Sequence, residues 1–291
     1  MKFYTTLILL FFLSSFQLFS QDQSQYLGAI MLNDSSLISY KIVFSEKEGV
    51  IIGHSITDLN GPHETKSFLS GTFNEAQNTL VFKESGIIYT KSPVTQEDFC
   101  YIHFEGRLKN LNKRQQITGS FRGLYKDGKE CINGEIKLAN LELMNEKAVK
   151  LDKRIDRNLL VKKEDKEKIN IKKSLDTLNM NLINKGETLS VFTKDEKITL
   201  IIYDAGKEDG DRINLTIAGK IILENYTVTK ERKKIVINLE SDQTPIEVLA
   251  LNVGTSAPNT VRIEIKDSFN FVRTLTNLDE NEKAGVVILK R

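Results

Sequence analysis

Ile201-Ile-Tyr-Asp-Ala-Gly-Lys-Glu-Asp-Gly-Asp-Arg-Ile-Asn-Leu-Thr-Ile217 decides the fold, because two runs of β-formers flank a compact acidic turn. In the second run Ile213, Leu215 and Ile217 fall at every second position, and Ile235, Ile237 and Leu239 repeat the stripe. Alternate side chains of a strand point to opposite faces, so these stripes need a second layer to cover them. Gly219-Lys220, Asn225-Tyr226, Asn252-Val-Gly254 and Pro258-Asn259-Thr260 punctuate the runs that follow. Working outward, strands are expected at Leu189–Phe192, Lys197–Asp204, Arg212–Ala218, Lys220–Leu223, Lys234–Leu239, Ile246–Asn252, Thr260–Lys266, Phe269–Leu275 and Val286–Leu289. Strands at intervals of roughly 8 to 12 residues, with turn signals between them, predict a β-sandwich of immunoglobulin-like size over 186–291.

Upstream, residues 21–143 read as a second β-domain, an antiparallel meander. Its strands are expected at Tyr26–Leu32, Leu37–Phe44, Val50–Thr57, Thr65–Phe73, Thr79–Lys83 with Ile87–Thr90, Cys100–Leu108, Gln116–Leu124 and Glu130–Leu138. In Tyr101-Ile-His-Phe-Glu-Gly-Arg-Leu108 the Tyr, His, Glu and Arg share one face, while Ile102, Phe104 and Leu108 share the other. Asn60-Gly61-Pro62 supplies a turn, and Asp127-Gly128 suits a tight hairpin. About eight antiparallel strands fit an up-and-down barrel or a sandwich. The strand count and the run of hairpins are similar to an avidin-like or lipocalin-like barrel in architecture, without a residue motif of either.

Cys100 and Cys131 are the only cysteines. An even pair in an oxidising compartment favours a disulfide over free thiols, and a two-Cys metal site lacks partners at fixed spacing. In the hairpin register both cysteines lie opposite Gly123 and Leu124, two strands apart at about 10 Å, whereas a bridge needs Cα atoms within about 7 Å. One Cys must then stand in a loop, or the sheet must curl.

Residues 144–185 change character. From Asn145 to Lys173 Lys and Arg number eleven against six acids, without Gly or Pro. Ala148, Leu151, Ile155 and Leu159, then Ile171, Leu175, Leu178 and Leu182, recur at helical steps, which predicts a charged, partly helical linker. A basic membrane-surface or partner-binding helix is the weaker reading, since acids are interspersed and no aromatic anchors the apolar face.

The run Asp204-x-Gly206-x-x-Asp209-Gly210-Asp211, with Gly219-Lys220, Asn225-Tyr226, Asn252-x-Gly254 and Pro258-Asn259-Thr260, resembles a β-sandwich domain that recurs at the C-terminal end of exported Gram-negative proteins. That domain also occurs beside outer-membrane peptidoglycan-associated modules and has no assigned function. The resemblance covers about 185–291 and implies a fold and a compartment, not an activity.

Bulk properties agree with export. Met1–Ser20 has the layout of a signal peptide: Lys2 at the start, an apolar run Leu7–Leu13, and small Ser20 before Gln21. The formal charge of +2 over 291 residues becomes +1 once Lys2 leaves with the leader, so nothing here suits nucleic acid. No later run approaches the length of a membrane-spanning helix, about 20 apolar residues. The expected location is periplasmic, outer-surface or secreted.

For chemistry, Asp204, Glu208, Asp209 and Asp211 gather carboxylates at one end of the sandwich. Calcium takes about six to eight oxygens, and such a loop supplies several. The competing reading, which is favoured, is a hairpin turn at Asp209-Gly210 whose Asp side chains accept hydrogen bonds from turn N–H groups. A calcium-dependent carbohydrate-binding module would use this loop with Tyr203 and Tyr226, in a chain with no Trp. His54, Asp58, His63, Glu64 and His103 are the remaining metal candidates, read as ordinary surface or strand residues. Gly119-Ser-Phe-Arg-Gly123 is not a nucleophile elbow, and no phosphate-cradling or dinucleotide loop occurs. No cofactor other than calcium is expected. The expectation is an exported, non-catalytic binding or scaffolding protein whose partner is an envelope protein or a glycan. The alternative is a carrier holding a small apolar molecule in a barrel lined by Phe44, Phe73, Phe82 and Phe104. A hydrolase would need two facing carboxylates in a cleft.

Overall fold

A computed structural model describes residues 23–111, 114–157, 181–204, 206 and 208–291. The expected leader Met1–Ser20 and the helical set Ile171, Leu175 and Leu178 lie outside these residues, as does Leu159. The N-terminal strands are β1 (Ser24–Leu32), β2 (Leu37–Lys47), β3 (Val50–Thr57), β4 (Thr65–Asn74), β5 (Thr79–Thr90), β6 (Tyr101–Leu111), β7 (Arg114–Leu124) and β8 (Glu130–Asn140). Each pairs antiparallel with the next, and β8 returns to β1, so the eight strands close into an up-and-down barrel. Closure removes the free edges that an open meander would leave.

Period-two alternation fills the barrel. Tyr26, Tyr40, Ile42, Phe44, Ile51, Leu69, Phe82, Phe104, Ile117, Phe121 and Ile136 belong to one apolar cluster, in which no buried side chain is more than 5 % exposed, whether to bulk water or to an internal void. Phe82 stacks on Phe104 with ring centroids 4.7 Å apart, and Phe104 lies over the facing pair Gly106 and Gly119. A Cβ on Gly119 would stand 2.3 Å from the Glu105 carbonyl and 2.8 Å from the Phe104 ring, so the rings pack only because glycine leaves that space.

Glu84 brings a charged side chain into this interior. Glu84 is 3 % exposed and accepts hydrogen bonds from the Tyr40 hydroxyl at 2.9 Å, the Ser55 hydroxyl at 2.5 Å and the Ile102 N–H at 2.9 Å. The β5–β6 ladder runs from Thr79↔Arg107 to Lys83↔His103 and stops there, which leaves the Ile102 N–H without a strand partner. Glu84 supplies the missing acceptor. Burial raises its carboxyl above the ordinary range.

Beyond that point β5 changes neighbours. Gly86 takes a positive φ of 81°, and Tyr89 and Thr90 pair with Val191 and Ser190 of β10 (Thr188–Thr193). Through β10 the barrel wall continues into β18 (Lys283–Lys290), β15 (Gln243–Ala250), β12 (Arg212–Ile217) and β13 (Lys220–Thr227), a single sheet of thirteen strands. A second sheet has the order β14 (Lys233–Asn238), β11 (Lys197–Tyr203), β16 (Arg262–Lys266), β17 (Phe271–Asn277) and β9 (Leu182–Asn184). The stripes Ile213, Leu215, Ile217 and Ile198, Leu200, Ile202 come from different sheets and meet in one buried cluster with Val248, Ile263, Ile265 and Val286.

Helix α1 (Leu141–Arg157) starts directly after β8, where the Asn140 side chain caps it by accepting the Leu143 N–H at 3.1 Å. Glu142 lies in its first turn and Arg154 and Arg157 in its last, as the helix dipole favours. Leu141, Met144 and Ala148 seat it on Leu27, Ile56 and Leu59, whereas Leu151 is 44 % exposed. Leu182, expected at the end of a helical set, lies in β9, which pairs in parallel with β17.

Cys100 and Cys131 form a disulfide with Cα atoms 6.1 Å apart. Cys100 precedes β6, and Cys131 is the extra residue of a bulge, since Gly123 faces Ile132 while Leu124 faces Glu130. Gly123, on the strand between them, lacks the Cβ that would stand 2.4 Å from the Cys100 Sγ. The bridge therefore crosses a strand at a glycine, which removes the register conflict.

Candidate functional site

The acidic segment is not a hairpin, because β11 pairs with β14 and β16 while β12 pairs with β13 and β15. It crosses from one sheet to the other. Asp204 Oδ1 accepts the Gly206 N–H at 2.6 Å, Asp211 Oδ2 accepts the Thr260 N–H at 2.8 Å, and Glu208 turns outward to the Lys230 N–H. Asn259 Nδ2 donates to the carbonyls of Asn252 at 2.8 Å and Arg212 at 3.3 Å, tying Pro258-Asn259-Thr260 to the crossover. Asp204 and Asp211 are buried, and burial, then the charges of Asp209 and Asp204, push the Asp211 carboxyl up to about 6. The Oδ1 atoms of Asp209, Asp211 and Asn259 are buried without a hydrogen-bond partner. Among the described residues no group of three or more His, Cys, Asp or Glu converges as a metal site.

The histidines are dispersed. His63 Nδ1 contacts the Ser92 hydroxyl at 2.9 Å, and the His63 backbone N–H donates to Asp58 Oδ2. His103 stands on β6 between Lys83 and Arg122 of the neighbouring strands. His54 lies elsewhere, in a setting the sequence reading missed.

That setting is a cleft of about 220 Å³ between the outer wall of the barrel and the smaller sheet. Lys41, Ile56, Lys66 and Tyr89 are successive cross-strand neighbours over β2, β3, β4 and β5, with His54 beside them. Arg262 and Arg273 of β16 and β17 line the cleft from the other side, and Asn181 closes it ahead of β9. Four cationic side chains thus face a single lining carboxylate, Glu64. Both Glu64 oxygens are engaged, Oε1 by the Tyr89 hydroxyl at 2.8 Å and Oε2 by the Asn60 N–H. Arg273 also binds Glu264, which is 1 % exposed in its side chain and accepts from Tyr203 and Arg232 too. Lys66 and Arg262 form no ion pair among the described residues.

Burial first, and then the crowding of like charges, shifts these groups. Burial, then Lys66 and Lys41, push the His54 imidazole down to about 3. Burial and the neighbouring Lys41 bring Lys66 down to about 8, with Glu64 working against them. Burial, then Arg273, holds Arg262 below its ordinary value. Asn181 is 8 % exposed, and neither its Oδ1 nor its Nδ2 has a partner; the Arg262 Nε is likewise buried and unpartnered. Lys41 offered the one sequence signal, a cation inside the run Tyr40-Lys-Ile-Val-Phe44 that is buried on both faces.

Comparison with models of known protein families, with curated proteins and with solved structures finds no match to this chain. What stands is the architecture: an all-β protein built on a closed eight-stranded antiparallel barrel with further strands and, among the described residues, one helix. Among the described residues no helix is long and apolar enough to cross a membrane.

Proposed function

We propose that this chain is an exported, non-catalytic binding or scaffolding protein of the bacterial envelope, acting through its outer surface. The observation that carries the reading is the packed barrel. Phe44, Phe82 and Phe104, which would line a carrier's cavity, are buried against one another's neighbours, and Phe73 packs on them. A carrier needs an enclosed space of about 300 Å³ or more for a small molecule, so the filled interior weighs against that role. The leader expected at Met1–Ser20 and the Cys100–Cys131 bridge support an oxidising, extracytoplasmic location.

The two sheets of the C-terminal region, sharing one core, support an immunoglobulin-like sandwich serving as the adhesion or assembly module. Their outer strands favour recognition by strand addition. Among the described residues β13 pairs only with β12 and β14 only with β11, and Ile221, Ile222 and Val236 on them are 58, 44 and 61 % exposed. Open apolar edges of this kind are templates for another chain. The test places a photo-crosslinker at Ile222, at Val236 and, as control, at Lys137 on the barrel in cells making the full chain. Discrete adducts from the edge positions alone, with the processed protein in the envelope fraction, are expected. Retention in the cytoplasm, or an apolar molecule retained in native mass spectra of the purified protein, would reject the reading.

The unpartnered Oδ1 atoms of Asp209, Asp211 and Asn259 at the crossover favour a second reading, a calcium-dependent carbohydrate-binding module in which these oxygens, and not three converging carboxylates, would meet the ion. Addition of calcium would then raise the melting temperature, and no shift at millimolar calcium removes it.

A further inference from the structure

We propose that the cleft between the barrel wall and the smaller sheet binds a phosphate-class oxyanion, held by Lys41, Lys66, Arg262 and Asn181. This reading is independent of where the protein resides in the cell.

Buried polar atoms in native proteins nearly always have hydrogen-bond partners. Asn181 breaks that rule with both ends of its amide, and Arg262 breaks it at Nε, on the same cleft. These atoms define the chemistry that would complement the cleft. The amide nitrogen, the guanidinium Nε and the lysine ammonium groups offer hydrogens, so the occupant must present several acceptor oxygens. The amide oxygen of Asn181 needs one donor. Monohydrogen phosphate carries three acceptor oxygens and one O–H, whereas an ionised carboxylate or sulfate carries acceptors only. The donor pattern therefore favours monohydrogen phosphate over sulfate and carboxylates.

Charge and size agree with this selection. Two lysines in one cross-strand row and two arginines opposite them repel one another in a partly dry space, and a dianion replaces that repulsion with attraction. Glu64 is the one lining carboxylate; it is held by the Tyr89 hydroxyl and the Asn60 N–H, and its single charge offsets only part of the four cations. At about 220 Å³ the cleft holds an oxyanion with a few waters, given about 30 Å³ per water, and is smaller than the usual pocket for a drug-sized ligand. It therefore admits free phosphate, or the phosphate end of a molecule whose remainder stays outside.

The test titrates the full-length processed protein with inorganic phosphate by calorimetry at low salt, beside sulfate and glycerol phosphate. Saturable binding of phosphate, with sulfate weaker, is the expected result. Equal or tighter binding of glycerol phosphate identifies the phosphate end of a larger molecule as the source; phosphate alone identifies the free ion. Lys66→Met and Asn181→Leu should each weaken phosphate about ten- to a hundredfold, the worth of one lost charge-assisted contact. Lys66→Met should also raise the melting temperature without phosphate, because it removes a half-buried cation that Lys41 repels, so a weakened affinity cannot be traced to misfolding. No heat and no thermal shift at millimolar phosphate in the folded protein would overturn the proposal. Sulfate binding as tightly as phosphate, or both variants binding like the parent, would overturn it too.

Discussion

Replacing Glu84 separates hydrogen bonding from charge inside the barrel. Glu84→Leu takes the acceptor from the Ile102 N–H, the Tyr40 hydroxyl and the Ser55 hydroxyl together, and Tyr40 and Ser55 are fully buried. Each orphaned buried donor costs about 1–3 kcal/mol. The two hydroxyls faced the same Oε1 and can turn toward each other, which recovers one partner. Leucine also spares the burial of a carboxyl, so the net loss is about 2–4 kcal/mol. Over a chain of this size that lowers the melting temperature by roughly 5–15 °C. Glu84→Gln keeps the shape, accepts the Ile102 N–H through its carbonyl, and donates its amide hydrogens to the two hydroxyl oxygens; its cost should stay below about 1 kcal/mol. The pH slope supplies an independent check. Burial raises the Glu84 carboxyl in the folded state, so the folded chain holds its proton at pH values where the unfolded chain releases it. Stability contributed by the protonated form is lost as pH rises from the ordinary glutamate range through the raised value, and Glu84→Gln lacks that slope. Denaturant and thermal unfolding of the three proteins across pH 4 to 9 read both effects. Glu84→Leu melting with the parent, or Glu84→Gln falling as far as Glu84→Leu at neutral pH, would refute the reasoning.

Four further outcomes are expected. Gly123→Ala places a Cβ against the Cys100 Sγ and should leave free thiols that a colorimetric thiol assay counts; Cys100→Ser with Cys131→Ser should cost about 3–4 kcal/mol in denaturant unfolding, the chain entropy of a loop with sequence separation 31. Asp211, raised from 3.8 to about 6 by burial, binds more protons folded than unfolded between those values, so its contribution to stability falls as pH climbs through that window and then levels off. Asp211→Asn should remove that segment of the thermal pH profile. Asn140→Ala deletes the cap of α1 and should cost about 1 kcal/mol, visible as a lower unfolding midpoint.

Alternation made the barrel strands legible, since Tyr101–Leu108 and its neighbours put apolar residues on one face at period two, and the observed β6 has that register. Pairing partners were less legible. The acidic run between Tyr203 and Arg212 reads locally as a hairpin, yet the strands on either side belong to different sheets, a choice made by long-range packing of Ile202 and Ile213 into one core. β9 is too short for a periodic signal and owes its pairing to β17, far along the chain. The cysteine register looked forbidden because sequence shows neither the bulge at Cys131 nor the space above Gly123. The basic cleft was invisible for the same reason: Lys41, Lys66, Asn181 and Arg262 meet only through tertiary approach.

The change of neighbour along β5 constrains how the two halves of the molecule behave. Since main-chain hydrogen bonds run unbroken from the barrel wall into the C-terminal sheet, the angle between the halves is set by strand twist and cannot swing as two bodies on a tether would. A chain cut between Arg157 and Asn181 should therefore leave fragments that remain docked and melt together, and anything lodged between the two halves sits in a seat of fixed width.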